Sequence, residues 1–167
     1  FNILGPLLNP ANTQFQIIGT ANRGDMKLIA EAAKVMGKKK VLVLNGRDGL
    51  DELTLTGETD VIELDDGNLT TYVLTPEDFG FESVDFSEIS GGDPNFNISV
   101  TRDILDDTCV SQHLNLVLAN TALALKFMGK VKNYEAGVAM AREKLASGET
   151  REALDRYVQI SNIPDIL

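Results

Sequence analysis

Leu42-Val43-Leu44-Asn45-Gly46-Arg47-Asp48-Gly49-Leu50-Asp51-Glu52 is an apolar run that ends in a glycine-punctuated loop carrying three carboxylates. A β-branched and leucine run such as Val41 to Leu44 suits a strand covered on both faces, and open α/β sheets hold ligands at the carboxyl ends of such strands. Gly46 and Gly49 permit backbone angles that other residues resist. Asp51 and Glu52 are neighbours, so a regular strand would point them to opposite faces, and only a turn lets both approach one cation. The residues alone leave a second reading open, an ordinary strand exit with solvated acids, because surface Asp and Glu are common.

Working outward, Gln14 to Ala21 reads as a strand, and Asn22 with Asp25 supplies capping chemistry for a helix running to about Met36. Leu28, Ile29, Ala32, Val35 and Met36 fall on one stripe of that helix. Gly37 ends it, and Lys38 to Lys40 read as a complement to its C-terminal dipole. Strand, helix, strand is the βαβ unit of a parallel sheet. Upstream, Phe1 to Pro10 is apolar but broken by Gly-Pro and Asn-Pro, so it reads as a folded loop and not a regular helix. Downstream, Thr59 to Leu64 and Leu69 to Leu74 flank Asp65-Asp66-Gly67-Asn68 as a hairpin. Thr75-Pro76-Glu77-Asp78 starts a short helix with a cap, a first-position proline and an acidic first turn. Gly91-Gly92-Asp93-Pro94 reads as a helix entry. Without a lysine or a P-loop spacing it is a poor phosphate cradle.

The remainder is helical: Asn97 to Asp106, Cys109 to Met128, Tyr134 to Ala146 and Thr150 to Ile160. The second of these is apolar nearly all round, which places it inside the domain. The fold class is therefore α/β, a mixed, largely parallel sheet flanked by helices with a helical C-terminal half, around one core. The 167 residues bury roughly 70% of their extended surface at this size.

The formal net charge is -10, which disfavours nucleic acid and anionic membrane as partners. An acidic site still binds a polyanion when divalent cations lie between them. The single cysteine, Cys109, makes no internal disulfide, and with His113 also alone no Cys/His metal spacing exists. Cys109 and His113 fall four apart on one expected helix. A thiol beside an imidazole, with no third group to orient the ring, reads as structural rather than nucleophilic. No run approaches the roughly 20 apolar residues that span a bilayer. A reducing, cytoplasmic setting fits.

Four segments carry a resemblance. Phe1-Asn2-Ile3-Leu4-Gly5-Pro6-Leu7-Leu8-Asn9-Pro10, then Asp48-Gly49-Leu50-Asp51-Glu52 with Leu55-Thr56-Gly57, then Leu74-Thr75-Pro76-Glu77-Asp78-Phe79-Gly80, and Gly91-Gly92 occur in the order found in anthranilate phosphoribosyltransferases. The chain resembles the C-terminal portion of that family throughout its length. The resemblance implies transfer of the 5-phosphoribosyl group from 5-phosphoribosyl 1-diphosphate to anthranilate in tryptophan biosynthesis, with Mg2+. It carries the metal role to Asp51 and Glu52, and lining of the anthranilate tunnel to Asn2, Gly5, Pro6, Asn9 and Pro10. Magnesium suits one or two carboxylates completed by substrate phosphates.

It also implies that residues 1–167 are the C-terminal portion of the α/β catalytic domain, cut short by design or by proteolysis. The family's arginine for the anthranilate carboxylate, its glycine-rich diphosphate loop and its N-terminal helical domain, through which it forms homodimers, lie upstream. The 167 residues alone are thus expected to be inactive. Two other readings stay open: a pyrimidine nucleoside phosphorylase of similar fold, and a non-catalytic, nucleic-acid-binding relative. The Leu-Gly-Pro-Leu-Leu-Asn-Pro and Thr-Pro-Glu-Asp-Phe-Gly segments argue against the first, and the acidic charge against the second.

Overall fold

The structure, a computed structural model, describes residues 3–11 and 13–162. Phe1 and Asn2 lie outside the described residues, so the expected role of Asn2 has no structural counterpart here.

Strand β2 (Lys40–Gly46) is buried from Val41 to Gly46, as its unbroken apolar run requires. Strand β1 (Phe15–Gly19) lies parallel to it, with Ile17 opposite Leu42. Helix α2 (Met26–Val35) joins the two and completes the βαβ unit. The other neighbour of β2 is β3 (Thr59–Asp65), antiparallel with Val43 opposite Ile62, and β3 pairs in turn with β4 (Asn68–Leu74). The sheet order is β1-β2-β3-β4, a mixed sheet. Asp66 and Gly67 close the β3–β4 hairpin at φ 44° and 84°. Two consecutive left-handed residues match the twist of the strands they join, the geometry that Asp-Gly favours.

Side chains alternate across β2. Val41 and Val43 pack with Ile18 and Leu64 against α2, while Leu42 and Leu44 pack with Val61 and Leu74 against helix α4 (Gln112–Phe127) through Leu116, Ala119, Leu123 and Phe127. On its far side α4 gives Leu118 to a third cluster, with Ile104 of α3 (Pro94–Leu105) and Ala141 and Leu145 of α5 (Tyr134–Ala146). Covered on both sides, α4 needs the near-continuous apolar sequence it has. Gly137 of α5 packs so closely on Ala122 that an added Cβ would stand 2.8 Å from the Ala122 Cα. Helix α6 (Glu149–Ser161) closes the described chain with no buried residue.

Several local expectations are revised. Helix α2 buries Met26, Ile29, Ala30 and Ala33, whereas Leu28, Val35 and Met36 are exposed. Two helical stripes overlap in this sequence, and the one carrying alanines faces the sheet because small side chains let the helix approach closely. Lys38 is not a solvated dipole partner: it is buried, and its Nζ donates to the Thr13 carbonyl at 2.6 Å. The segment from Leu4 to Leu7 makes one helical turn, α1, with Pro6 inside it. A single turn tolerates proline because the amide that proline lacks has no intrahelical partner there.

Cys109 precedes α4 instead of sharing a face of it with His113. Ser111 stands between them, its Oγ 3.2 Å from Cys109 Sγ and 3.0 Å from His113 Nδ1, and His113 Nε2 donates to the Ser90 carbonyl at 3.1 Å. The imidazole is satisfied structurally. Thr75 and Asp78 form the expected capping box, with Pro76 opening a short 3₁₀ turn, and Asp93 caps α3 through the Asn95 and Phe96 amides.

Candidate active site

A cleft of about 550 Å³ opens beyond the carboxyl ends of β1 and β2, lined by Pro6, Gly19, Thr20, Ala21, Asn22, Asp25 and Asp51. One wall is the exit from β1 and the other is the acidic loop that leaves β2. The two meet through glycine. An added Cβ at Gly19 would lie 1.4 Å from the Asp51 carbonyl oxygen, so the acidic loop rests directly on the β1 backbone. Gly46 is less tight: Asp48 Oδ1, a side-chain atom, stands 2.6 Å from where its Cβ would be, and the nearest backbone atoms, the Glu52 and Leu50 carbonyl oxygens, at 3.3 Å.

The loop turns sharply through two backbone bonds, Gly46 N–H to the Leu50 carbonyl and Gly49 N–H to the Gly46 carbonyl, both 2.9 Å. Gly49 takes φ 99° there, the left-handed region that glycine accommodates. Asp48 braces the turn from inside. Its carboxylate accepts from the Leu50 amide at 3.1 Å and from the Thr54 and Thr56 hydroxyls. Burial alone would raise its pKa, but these bonds outweigh it and hold the carboxyl below its ordinary value. Asp48 is thereby committed to the loop's own shape.

Asp51 and Glu52 are left as the free pair. Among the described residues no lysine or arginine forms an ion pair with either. Burial, and then the charges of Asp51 and Asp48, push the Glu52 carboxyl above its usual range. Like charge crowded in this way is relieved either by a proton or by a bound cation. A pair of carboxylates is the donor set that suits a magnesium ion taking its remaining ligands from water and phosphate, and of this pair Asp51 lines the cleft while Glu52 lies outside its lining. They do not form a closed protein cage, and no group of three or more potential ligands gathers among the described residues. Of the residues expected to line a tunnel, Pro6 lines the cleft beside Asp51, whereas Gly5, Asn9 and Pro10 are exposed outside its lining.

Two devices that sequence reading missed hold the loop. Asp60, buried at the start of β3, receives both arginines of the site: Arg23 Nε at 2.7 Å and Nη2 at 3.0 Å, and Arg47 Nε at 3.1 Å and Nη2 at 3.0 Å. Arg23 belongs to the turn that lines one wall and Arg47 to the acidic loop, so one carboxylate ties both walls together. Its signal in the sequence is a lone acid, Asp60, entering the run Val61-Ile62. The second device is Asn120 of α4, bonded to both backbone groups of Leu53. Hydrogen bonding from Arg47 leads the effects that hold the Asp60 carboxyl below its ordinary value.

A carboxylate depressed on folding stabilises the fold above its unfolded value, about 3.9, and loses that contribution as pH falls through the folded value below it. Asp60→Ala should therefore cost about 2 kcal/mol at pH 7, less than for a fully buried pair because both arginines reach solvent. Urea unfolding followed from pH 7 to pH 3 should show the gap between wild type and variant closing only below about pH 4. A gap that does not change with pH would contradict the assignment.

The profile of the glycosyl transferase family, a/b domain, matches residues 1–151. The chain belongs to this family. Within the glycosyl transferase family it is 37% identical over 161 residues to anthranilate phosphoribosyltransferase of Rubrobacter xylanophilus, covering 96% of this chain and 47% of that protein. It is 38% identical over 162 residues to the Methanobrevibacter smithii enzyme of the same name, covering 97% and 48%. Among solved structures, anthranilate phosphoribosyltransferase of Saccharomyces cerevisiae in complex with 4-fluoroanthranilate superposes with a TM-score of 0.87 at 26% identity, over 96% of this chain and 47% of that one. The Thermus thermophilus enzyme gives 0.82 at 34%, over 94% and 46%. The chain thus spans about half the length of the relatives it matches.

Proposed function

We propose that the protein to which these residues belong transfers the 5-phosphoribosyl group of 5-phosphoribosyl 1-diphosphate to the amine of anthranilate, releasing pyrophosphate, in cytoplasmic tryptophan biosynthesis. The observation that carries this reading is the Asp51-Glu52 couple, without an ion-pair partner among the described residues and with Asp51 facing the cleft at the sheet's carboxyl end, in a chain whose relatives bear that enzyme's name. A yeast relative has been solved in complex with PRPP and Mg. No relative reported above carries the phosphorylase or nucleic-acid reading.

In the proposed mechanism Asp51 and Glu52 are the residues that would hold magnesium. When bound, the ion neutralises charge that develops on the departing pyrophosphate. Asp48, Gly19 and Gly46 keep the two carboxylates where the leaving group arrives. Pro6 and the turn from Thr20 to Asn22 shape the opposite wall. The diphosphate loop, the arginine for the anthranilate carboxylate and the dimer contacts come from the length by which the relatives exceed this chain. These 167 residues are one half of the site.

Anthranilate fluorescence followed in the full-length protein with 5-phosphoribosyl 1-diphosphate and Mg2+ should fall, one pyrophosphate appearing for each anthranilate consumed. Nucleoside phosphorolysis without anthranilate consumption would overturn the reading. For the 167-residue chain by itself, turnover comparable to an intact relative would contradict the half-site assignment.

A further inference from the structure

Asn120 lies in the middle of α4 and does not line the cleft, yet it makes three hydrogen bonds, two of them to a residue 67 positions away. Its Oδ1 accepts from the Leu53 amide at 3.1 Å, and its Nδ2 donates to the Leu53 carbonyl at 2.9 Å and to the Leu116 carbonyl at 3.1 Å. A flipped amide would set N–H against N–H and oxygen against two carbonyls, so this orientation alone satisfies the network. Both backbone groups of Leu53 are thereby consumed by one side chain. Leu53 is fully buried in the core beside Leu55 and Val61, and it directly follows Glu52.

We propose that Asn120 is a positioning residue that fixes the register of the acidic loop, setting the direction in which Asp51 and Glu52 leave the core. The proposal builds on the reading of those two carboxylates as cation ligands. The loop enters at Arg47, which is held by Asp60, and is braced in its middle by Asp48. Asn120 fastens its exit. Without those bonds the segment from Asp51 to Leu53 keeps its apolar packing on α4 but loses its only side-chain hydrogen bonds to that helix among the described residues. Partners bonded directly to a ligand alter metal affinity by about 10- to 100-fold when removed, and Asn120, which acts through the backbone of the next residue, belongs at the low end of that range.

The test uses Mn2+ alone as a paramagnetic probe on the full chain, read by broadening of the Asp51 and Glu52 resonances, together with 15N relaxation of residues 47–53. Asn120→Leu should weaken Mn2+ binding about tenfold and raise loop mobility. Leu118→Ala, a buried change on the same helix facing the other cluster, should lower stability yet leave both readouts unchanged. Where Asn120→Leu fails to fold, Asn120→Ser, which keeps a hydroxyl, should fall between it and wild type. Wild-type Mn2+ affinity in both Asn120 variants, or equal weakening by Leu118→Ala, would overturn the proposal. If Mn2+ leaves the wild-type loop sharp, the cation reading of Asp51 and Glu52 fails, and relaxation decides the positioning role: mobility raised only in the Asn120 variants sustains it, and unchanged mobility overturns it.

Discussion

Gly19→Ala should displace the acidic loop, cost about 3 kcal/mol of stability, and lower turnover in the full-length protein about 100-fold. The reason is geometric. The added methyl carbon would lie 1.4 Å from the Asp51 carbonyl oxygen and 2.4 Å from its carbonyl carbon, closer than any non-bonded pair, and the obstacle is backbone that no rotamer change moves aside. Strand β1 does not give way either, because its ladder with β2 is continuous from Phe15 to Gly19 and Ile18 is buried beneath it. The strain therefore falls on the loop, and the residue it displaces is a proposed cation ligand. A misplacement of about 1 Å is enough for a large catalytic loss. Urea unfolding and steady-state kinetics on the same variant would check both halves; wild-type values in both would mean that the loop does not rest on β1.

Gly19 also shows where sequence reading reached and where it stopped. The burial of β2, the Asp-Gly hairpin, the Thr75 capping box and the limits of α5 were legible because each is decided by residues within a few positions of one another. Periodicity and turn chemistry are local, and local rules suffice for them. The face of α2 was misjudged because two stripes of similar hydrophobicity overlap, and only contact with the sheet selects the one with alanines. Gly19 gave no local warning, since the group that requires it to be glycine is a carbonyl 32 residues later.

The same division runs through the site. Asp51 and Glu52 stood out as acids in a glycine-bounded loop, and among the described residues no lysine or arginine forms an ion pair with either. Asp48, which sequence placed among the same three carboxylates, proves to be occupied by Thr54 and Thr56. Asp60 and Asn120 were not read as site residues: the acid that enters the Val61-Ile62 run is a faint signal for the first, and the second has none. One lies at the start of a strand and the other in an apolar helix, and each acts on the loop across a fold that had first to be known.

The central claim is that Asp51 and Glu52 form the magnesium-diphosphate wall of a phosphoribosyl-transfer site. Neutralising both, Asp51→Asn with Glu52→Gln, changes charge while keeping shape, and it relieves the repulsion around Glu52, so the fold should be retained or slightly stabilised. Initial rates of anthranilate consumption, measured across a Mg2+ series in the full-length protein, test the claim most directly. The account predicts that the double variant loses turnover about 100-fold and no longer responds to Mg2+ across a range that saturates the wild type, while unfolding at the same or a higher temperature. Undiminished, Mg2+-dependent turnover by the double variant would contradict it.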